Sequence, residues 1–431
     1  MLFRSIRMKK LTALLLSVMV LFSLGSLASA EETTTIGWTS WALAEENLIP
    51  IYAGSADAFM AENPDITIDY SQTNPYASYL DQLLISAQAG NAPYVAHIKA
   101  EWLPQFLELG VLKDLTPYIS EEVIADYNAS AIEGVTIDGQ IVALPWFGNT
   151  YALYYNKALL EQAGIETLPQ NWQELIDAAY KVSALGDDIY GLAIPNSNGV
   201  EAGEGYDVFP ALWAHGGNFQ DADGKINLTD EAAIATFTEI QKLIADHVSP
   251  TVGNSFKDLR NLFGQGKIGF YWDLEATIDT AAAAAEDKDK FYEDFGCMVI
   301  PGADTPNGAG YVIDHYLVVF NNTPDELMPQ VAKFLEFMSD STVIQIFKDG
   351  NQGKMSSRAS VMDEVFADVS EITQVYVDAM KTARPLPVAG LHFMDADKEL
   401  VNALTRLAQG EDVTAVMTDC QQIIQDMYDE E

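Results

Sequence analysis

Strand-type and helix-type segments alternate along this chain from Thr34 onward. Residues 34–38 alternate as a short strand does, residues 45–62 carry apolar side chains at helical spacing, and residues 66–70 alternate again. This order is a β-α-β unit, and similar strand and helix patterns continue to about residue 320. We therefore predict an α/β fold in which mixed sheets are flanked by helices.

Residues 134–144 contain two short apolar runs on either side of Asp138 and Gly139. An Asp-Gly pair supplies the positive φ angles that a type I′ turn requires. The pattern therefore predicts a β-hairpin in this part of the chain.

The chain is strongly acidic, with 23 Lys and Arg residues against 63 Asp and Glu residues and a formal net charge of −40. Such a molecule repels phosphate backbones and anionic lipid, so we expect no nucleic-acid partner. With 431 residues, 48% of them hydrophobic, the chain is long enough for two domains that each bury a core.

The N-terminus has the pattern of a secretory signal. Four basic residues lie at or before the start of an apolar run at residues 11–24, and the run is followed by Ala28, Ser29 and Ala30. We predict a signal peptide at residues 1–30, cleaved before Glu31; the alternative is an uncleaved membrane anchor. No cysteine stands at the predicted cleavage site, where the first residue is Glu31, so we expect a soluble exported protein that is not lipid-anchored.

Patterns typical of catalysis or of metal binding are missing from the sequence. The five histidines show no H-E-x-x-H spacing, and the two cysteines, Cys297 and Cys420, allow at most one disulfide. Residues 264–269 match G-x-G-x-x-G, but they come between a predicted helix and a strand, the reverse of the dinucleotide-binding order. We therefore predict no catalytic residue, no metal site and no cofactor.

Tryptophans recur near the ends of the predicted strands. Ligands of open α/β sheets gather beyond the carboxyl ends of the strands, and an indole face suits the apolar patch of a sugar ring. For each tryptophan, packing in a core is the alternative. The candidates chosen on this basis are Trp38, Trp41, Trp102, Trp146 and Trp272.

Several motifs together resemble the extracellular solute-binding proteins of carbohydrate ABC importers, the maltose-binding type. They are WTSW at 38–41, FMAENPDITI at 59–68, GNAPYV at 90–95, DGQIVALP at 138–145, LYYNK at 153–157 and FGQGKIGF at 263–270. The resemblance implies two lobes of the type II periplasmic-binding fold, with a ligand cleft at the hinge between them. It implies an N-terminal lobe of residues 31–146 plus 303–350 and a C-terminal lobe of residues 151–300 plus 356–431.

The resemblance also implies which segments contact a solute. Matching motif positions add several residues to the tryptophans named above: Glu101, Asn149, Glu204, Tyr206, Asp273, Glu275 and His392. Tyr94 stands where the family often has Asp, and Asn149 stands where it often has a carboxylate, so the resemblance leaves the identity of the sugar open.

The expected function is that of a receptor without enzymatic activity. It would bind a sugar or oligosaccharide in the periplasm or outside the cell and deliver it to the permease subunits of an ABC importer, acting as a monomer. A first alternative is a receptor for another solute, such as a polyol or a polyamine. A second is a secreted glycoside hydrolase, which would need two carboxylates flanking the sugar.

Overall fold

The computed structural model describes residues 33–194, 205–251, 253–306, 308–387, 390 and 392–430. The predicted signal peptide and Glu204 lie outside these residues. The strands in this part of the chain are β1 (Thr34–Thr39), β2 (Ile66–Asp69), β3 (Val95–Lys99), β4 (Thr136–Ile137), β5 (Gln140–Ile141), β6 (Leu144–Thr150), β7 (Ala152–Asn156), β8 (Tyr190–Ala193), β9 (Ile268–Asp273), β10 (Phe295–Met298), β11 (Tyr311–Val319) and β12 (Arg384–Pro385).

The helices within the same residues fall between and after the strands. They are α1 (Ile49–Glu62), α2 (Tyr76–Gln88), α3 (Leu103–Glu108), α4 (Glu121–Asp126), α5 (Ala129–Glu133), α6 (Lys157–Gln162), α7 (Trp172–Ser183), α8 (Phe209–Ala214), α9 (Glu231–Ala245), α10 (Phe256–Gly264), α11 (Ile278–Ala282), α12 (Lys288–Asp294), α13 (Met328–Met338), α14 (Ser341–Asp349), α15 (Ala359–Val365), α16 (Glu371–Thr382), α17 (Phe393–Ala408) and α18 (Val413–Asp429). None of them has both the length and the apolar composition that a bilayer-spanning helix needs.

Two mixed sheets form the centres of two lobes. In the first, the order is β12-β11-β3-β1-β2, and β6 also pairs with β11. In the second, the order is β10-β7-β9-β8. Parallel pairs such as β1 with β2 occur beside antiparallel pairs such as β7 with β9. The predicted α/β class with mixed sheets is confirmed.

The predicted hairpin is formed by β4 and β5, which pair in antiparallel register. Asp138 and Gly139 between them have φ angles of 51° and 80°. Both values lie in the left-handed region that a type I′ turn requires, which is why the Asp-Gly pair was informative.

Strand β6 was not predicted, because Pro145 lacks the N–H that a strand interior normally donates. The structure accommodates it at an irregularity: Tyr316 pairs with Pro145 and His315 pairs with Phe147, so Trp146 is the extra residue of a β-bulge. The Trp146 side chain is fully buried, and its indole N–H donates to the carbonyl of Met338. Strand β6 continues almost directly into β7 of the second sheet, with Tyr151 between them.

Helices α1, α13 and α14 pack on one another in the first lobe, and α9, α17 and α18 do so in the second. Helix α15, in the stretch that the sequence assigned to the C-terminal lobe, packs against α14. The chain then runs through α16 and β12, at the edge of the first sheet, before it reaches α17. Cys297 and Cys420 are both free thiols.

Replacing Trp146 by alanine should lower the free energy of unfolding by about 3–5 kcal/mol, because it removes a large buried ring and leaves a cavity. Urea denaturation followed by circular dichroism measures this change. The matched control is Ile85→Ala, since the Ile85 side chain is 61% exposed and its loss should change stability by less than about 0.5 kcal/mol. Equal stabilities of the two variants would contradict the assignment of Trp146 to the core.

Candidate functional site

A cavity of about 550 Å³ lies where residues of both lobes meet. The first sheet, α1, α2 and the loops near them supply one wall. Tyr151, Tyr206, α10 and α11 supply another, and the segment after α14 closes a third side. The lining residues are Trp41, Leu48, Tyr52, Tyr76, Lys99, Asn149, Ile313, His315, Tyr151, Tyr206, Phe256, Lys257, Arg260, Thr280, Gln352 and Lys354.

Backbone pairing places Lys354 beside Asn149. Gly148 of β6 donates its N–H to the carbonyl of Met355 at 2.8 Å, and the N–H of Met355 donates to the carbonyl of Gly148 at 3.1 Å. A side chain at position 148 has no room, because its Cβ would lie 2.6 Å from Val312. Glycine at this position therefore lets β6 approach β11, while the residues next to the bridge, Asn149 and Lys354, come together.

A chain of hydrogen bonds runs from Lys354 into the first lobe. Nζ of Lys354 lies 2.9 Å from Oδ1 of Asn149, and Nδ2 of Asn149 lies 3.0 Å from Nε2 of His315. Nδ1 of His315 is 2.8 Å from Nε2 of His97, whose Nδ1 is 2.8 Å from the Oγ of Ser40. Five side chains from five separate parts of the sequence thus form one polar network.

The direction of each hydrogen bond follows from the chemistry of Lys354. An ammonium group has donors only, so the amide oxygen of Asn149 must face it and the amide NH₂ must face His315. Nε2 of His315 then accepts, and its proton is on Nδ1, which donates to His97. His97 in turn carries its proton on Nδ1 and donates to Ser40.

Both imidazoles of this network are uncharged. Burial lowers the pKa of His97 and the pKa of His315 well below their usual range, and the nearby positive charges of Lys354 and Lys99 lower both further. Burial also lowers the pKa of Lys354, to about 8, with Lys99 contributing repulsion. The ammonium form of Lys354 still predominates at pH 7.

The indole of Trp41 packs against this polar network at His97. Its ring stacks on the imidazole of His97 with ring centroids 3.9 Å apart and an interplanar angle of 23°. Trp102 contacts it edge-on at 5.1 Å, as do Tyr76 and Tyr79 at slightly longer distances. Contacts on these sides fix the indole, and its partly exposed surface lines the cavity.

Arg260 of the second lobe is held by a carboxylate behind the cavity wall. Helix α10 begins after Ser255 with a capping box formed by Ser255 and Asp258, which fixes the first turn of the helix. Arg260 then places Nε 2.7 Å and Nη2 2.9 Å from the two carboxylate oxygens of Asp273. Asp273 is completely buried, and it also accepts a hydrogen bond from the Tyr271 hydroxyl. Burial raises the pKa of Asp273, and Arg260 opposes that shift.

Lys99 of the first lobe has the same arrangement, since its ammonium group forms an ion pair with Glu101, which is buried. Two of the carboxylates predicted to bind a solute therefore stand behind lysine and arginine side chains that line the cavity.

The structure brings Trp41, Asn149 and Tyr206 together at the cavity. It places Trp38, Trp102, Trp146 and Trp272 in the cores, with at most 2% of each side chain exposed. A ring without an accessible face offers no surface for a sugar to stack on, so these four indoles support the wall and do not line it. Proximity to a strand end does not reveal which face of the sheet a side chain occupies.

The remaining predicted residues also lie away from the cavity lining or outside the described residues. Glu275 accepts a hydrogen bond from the Thr373 hydroxyl, and burial raises its pKa. His392 immediately precedes α17 in the second lobe. Glu204 lies outside the residues that the structure describes.

Sequence reasoning missed the basic side chains of the cavity, which are Lys99, Lys257, Arg260 and Lys354, together with His315. A signal existed for Lys99, because it lies two residues before Glu101 at the end of a predicted strand. Nothing local distinguishes Arg260 or Lys354 from the other basic residues. No group of His, Cys, Asp and Glu residues suited to a metal ion occurs within the described ranges.

Comparison with known proteins gives consistent matches. Residues 45–343 match the family described as bacterial extracellular solute-binding protein. A putative binding protein of Brucella abortus is 28% identical over 291 residues, which cover 67% of this chain and 68% of that protein.

Solved structures match over nearly the whole chain. The sugar-binding protein MalE of Xanthomonas citri has a TM-score of 0.77 at 20% identity, with 92% of this chain and 98% of that chain covered. The GacH receptor of Streptomyces glaucescens, solved without ligand and with acarbose, has a TM-score of 0.76 at 20% identity, with 92% and 99% covered. At this level of identity the likeness shows the fold, and the predicted two-lobe architecture is confirmed.

Replacing Lys354 by methionine should stabilise the unliganded protein at pH 7. The ammonium group has a pKa of about 8 in the folded protein against an ordinary value of 10.5, so the unfolded state binds more protons between these two values. The buried charge of Lys354 therefore lowers the free energy of unfolding by its full amount below pH 8. This destabilisation decreases as the pH rises from 8 to 10.5.

We expect the free energy of unfolding of the variant to exceed that of the wild type by about 1 kcal/mol at pH 7 and by less at pH 9.5. This value is smaller than the full pKa shift implies, because solvent in the cavity screens the charge. Urea denaturation at both pH values measures the difference, with the exposed Lys225→Met as control. A variant that is less stable than the wild type at pH 7 would contradict this account.

Proposed function

Because this chain belongs to the family of bacterial extracellular solute-binding proteins, we propose that it is the receptor of an ABC importer. It binds a sugar or oligosaccharide in the cavity between its lobes and delivers it, chemically unchanged, to the permease subunits. The signal peptide at residues 1–30 exports it, and it acts as a soluble monomer in the periplasm or outside the cell.

The observation that carries this proposal is the composition of the cavity. A partly exposed indole, that of Trp41, lies in the same cavity as Asn149 of the first lobe and Tyr206 of the second. An aromatic face suits the C–H groups of a sugar ring, and amide and hydroxyl groups suit its hydroxyls. The GacH receptor, which was solved with acarbose, and the sugar-binding MalE protein share the fold.

Two lobes joined by a few short crossing segments are suited to closing over a solute. The proposed lobes are residues 31–146 plus 303–350 and residues 151–300 plus 356–431, with α15 packed on the first. Strand β6 reaches β7 through Tyr151 alone, so rotation near this residue moves one sheet relative to the other. Closure removes water from the cavity and lets the permease distinguish a loaded receptor from an empty one.

A glycoside hydrolase is less well supported. Hydrolysis of a glycosidic bond needs two carboxylates about 5–10 Å apart on either side of the bond. The described residues that line the cavity include neither Asp nor Glu.

Replacing Trp41 by alanine should weaken saccharide binding at least tenfold, because the aromatic surface on which the sugar ring stacks is lost. A ligand is first identified by thermal melting of the protein against a panel of saccharides, polyols and polyamines, since a ligand of the native state raises the melting temperature. Product analysis of the same mixtures shows whether the solute is recovered unchanged. Calorimetry on the identified ligand then compares wild type and variant.

The matched control is Trp172→Ala. Trp172 is buried in α7, and its indole N–H donates to Glu239 at 2.8 Å, away from the cavity. This variant should lose about 3–5 kcal/mol of stability and keep its affinity. Cleaved product in the mixtures, or unchanged affinity in Trp41→Ala, would contradict the proposed function.

A further inference from the structure

The cavity differs in charge from the molecule that surrounds it. The protein carries a formal net charge of −40. Four of the residues that line the cavity are nevertheless basic, Lys99, Lys257, Arg260 and Lys354, and the described lining contains no acidic residue. Because salt screens charge over about 10 Å, a solute inside the cavity responds to these near groups more than to the distant surface.

Lys354 lacks a counter-ion. Its hydrogen bond goes to the neutral amide of Asn149, and no carboxylate of the described residues lies within 4 Å of its Nζ. Its ammonium group stands over the ring of Phe147, 4.9 Å from the centroid. A half-buried ammonium without a counter-ion is unfavourable, and a negatively charged group of a solute would supply one.

Arg260 is oriented with donors to spare. Its Nε and Nη2 are taken by Asp273, and Nη1 has no hydrogen-bond partner within the part of the chain that the structure describes. Because Asp273 holds the guanidinium group in place, little side-chain entropy is lost when Nη1 binds an acceptor.

The lining offers no carboxylate acceptor, and its oxygen acceptors are the uncharged hydroxyls of tyrosine and threonine and the amides of Asn149 and Gln352. The amide oxygen of Asn149 already accepts one hydrogen bond from Lys354, and Nε2 of His315 accepts from the same amide. A neutral sugar has hydroxyl protons that need acceptors, whereas a carboxylate, sulfate or phosphate group needs donors only. A polyamine meets like charge on both sides of the cavity.

We propose that the solute is an acidic saccharide, whose carboxylate, sulfate or phosphate group lies between Lys354, which is hydrogen-bonded to Asn149 of the first lobe, and Arg260 of the second lobe. This inference rests on the proposed function and names the class of sugar. The anionic group bridges the two lobes, so it favours the closed form as well as the bound state.

The test compares solutes of equal shape and different charge. Calorimetry measures binding of a uronic-acid oligosaccharide, its methyl ester and the corresponding neutral oligosaccharide, with sulfated and phosphorylated saccharides as further arms. We expect at least one acidic saccharide to bind at least tenfold more tightly than its uncharged counterpart. The arm that binds identifies the anionic group.

A variant pair links the preference to Lys354. Lys354→Met should lose at least tenfold in affinity for the acidic saccharide and less than threefold for its uncharged counterpart, and Lys354→Arg should retain most of the preference. Lys225→Met, an exposed lysine outside the cavity, should bind as the wild type does.

The outcomes separate the two proposals. Equal or tighter binding of the uncharged saccharides overturns the acidic class and leaves the receptor function standing. Binding of inorganic phosphate or sulfate without any saccharide, or no binding in any arm, overturns both. An unchanged preference in Lys354→Met overturns the assignment to this cavity.

Discussion

An ammonium group can donate hydrogen bonds but cannot accept them, and at Lys354 this restriction orients a whole wall of the cavity. It turns the amide of Asn149, and the amide sets the tautomer of His315 and then that of His97. Trp41 stacks on the last of these rings. The aromatic surface and the positive charge are therefore parts of one structure, although Lys354 and Trp41 are more than 300 residues apart.

The carboxylates of the site stabilise basic side chains. Glu101 and Asp273 are buried behind Lys99 and Arg260, and each fixes its partner so that a donor faces the cavity. Breaking such a pair leaves a buried charge uncompensated, which costs several kcal/mol. The acidic surface of the protein and the basic lining of its cavity are thus separate features, and net charge does not predict the charge of a binding site.

Local patterns in the sequence predicted the elements well, because alternation and helical spacing depend on neighbouring residues. The Asp138-Gly139 turn is an example, since two residues determine it. Strand β6 was missed because Pro145 is tolerated only at a bulge that the partner strand forms. The cavity could not be predicted in the same way: Asn149 meets His315 and Lys354 through pairing of β6 with β11 and with the segment around Met355, and no local pattern encodes these contacts.

The tryptophans differ in their access to solvent. Of the seven in the chain, Trp41 alone is not buried in the described structure; the other six have at most 8% of their surface exposed. Trp41 also lies in the cavity, on an uncharged imidazole. A soluble quencher in the medium should therefore reduce the fluorescence of this single residue, and a solute that fills the cavity should protect it. The molecule consequently contains an intrinsic optical reporter of its own occupancy.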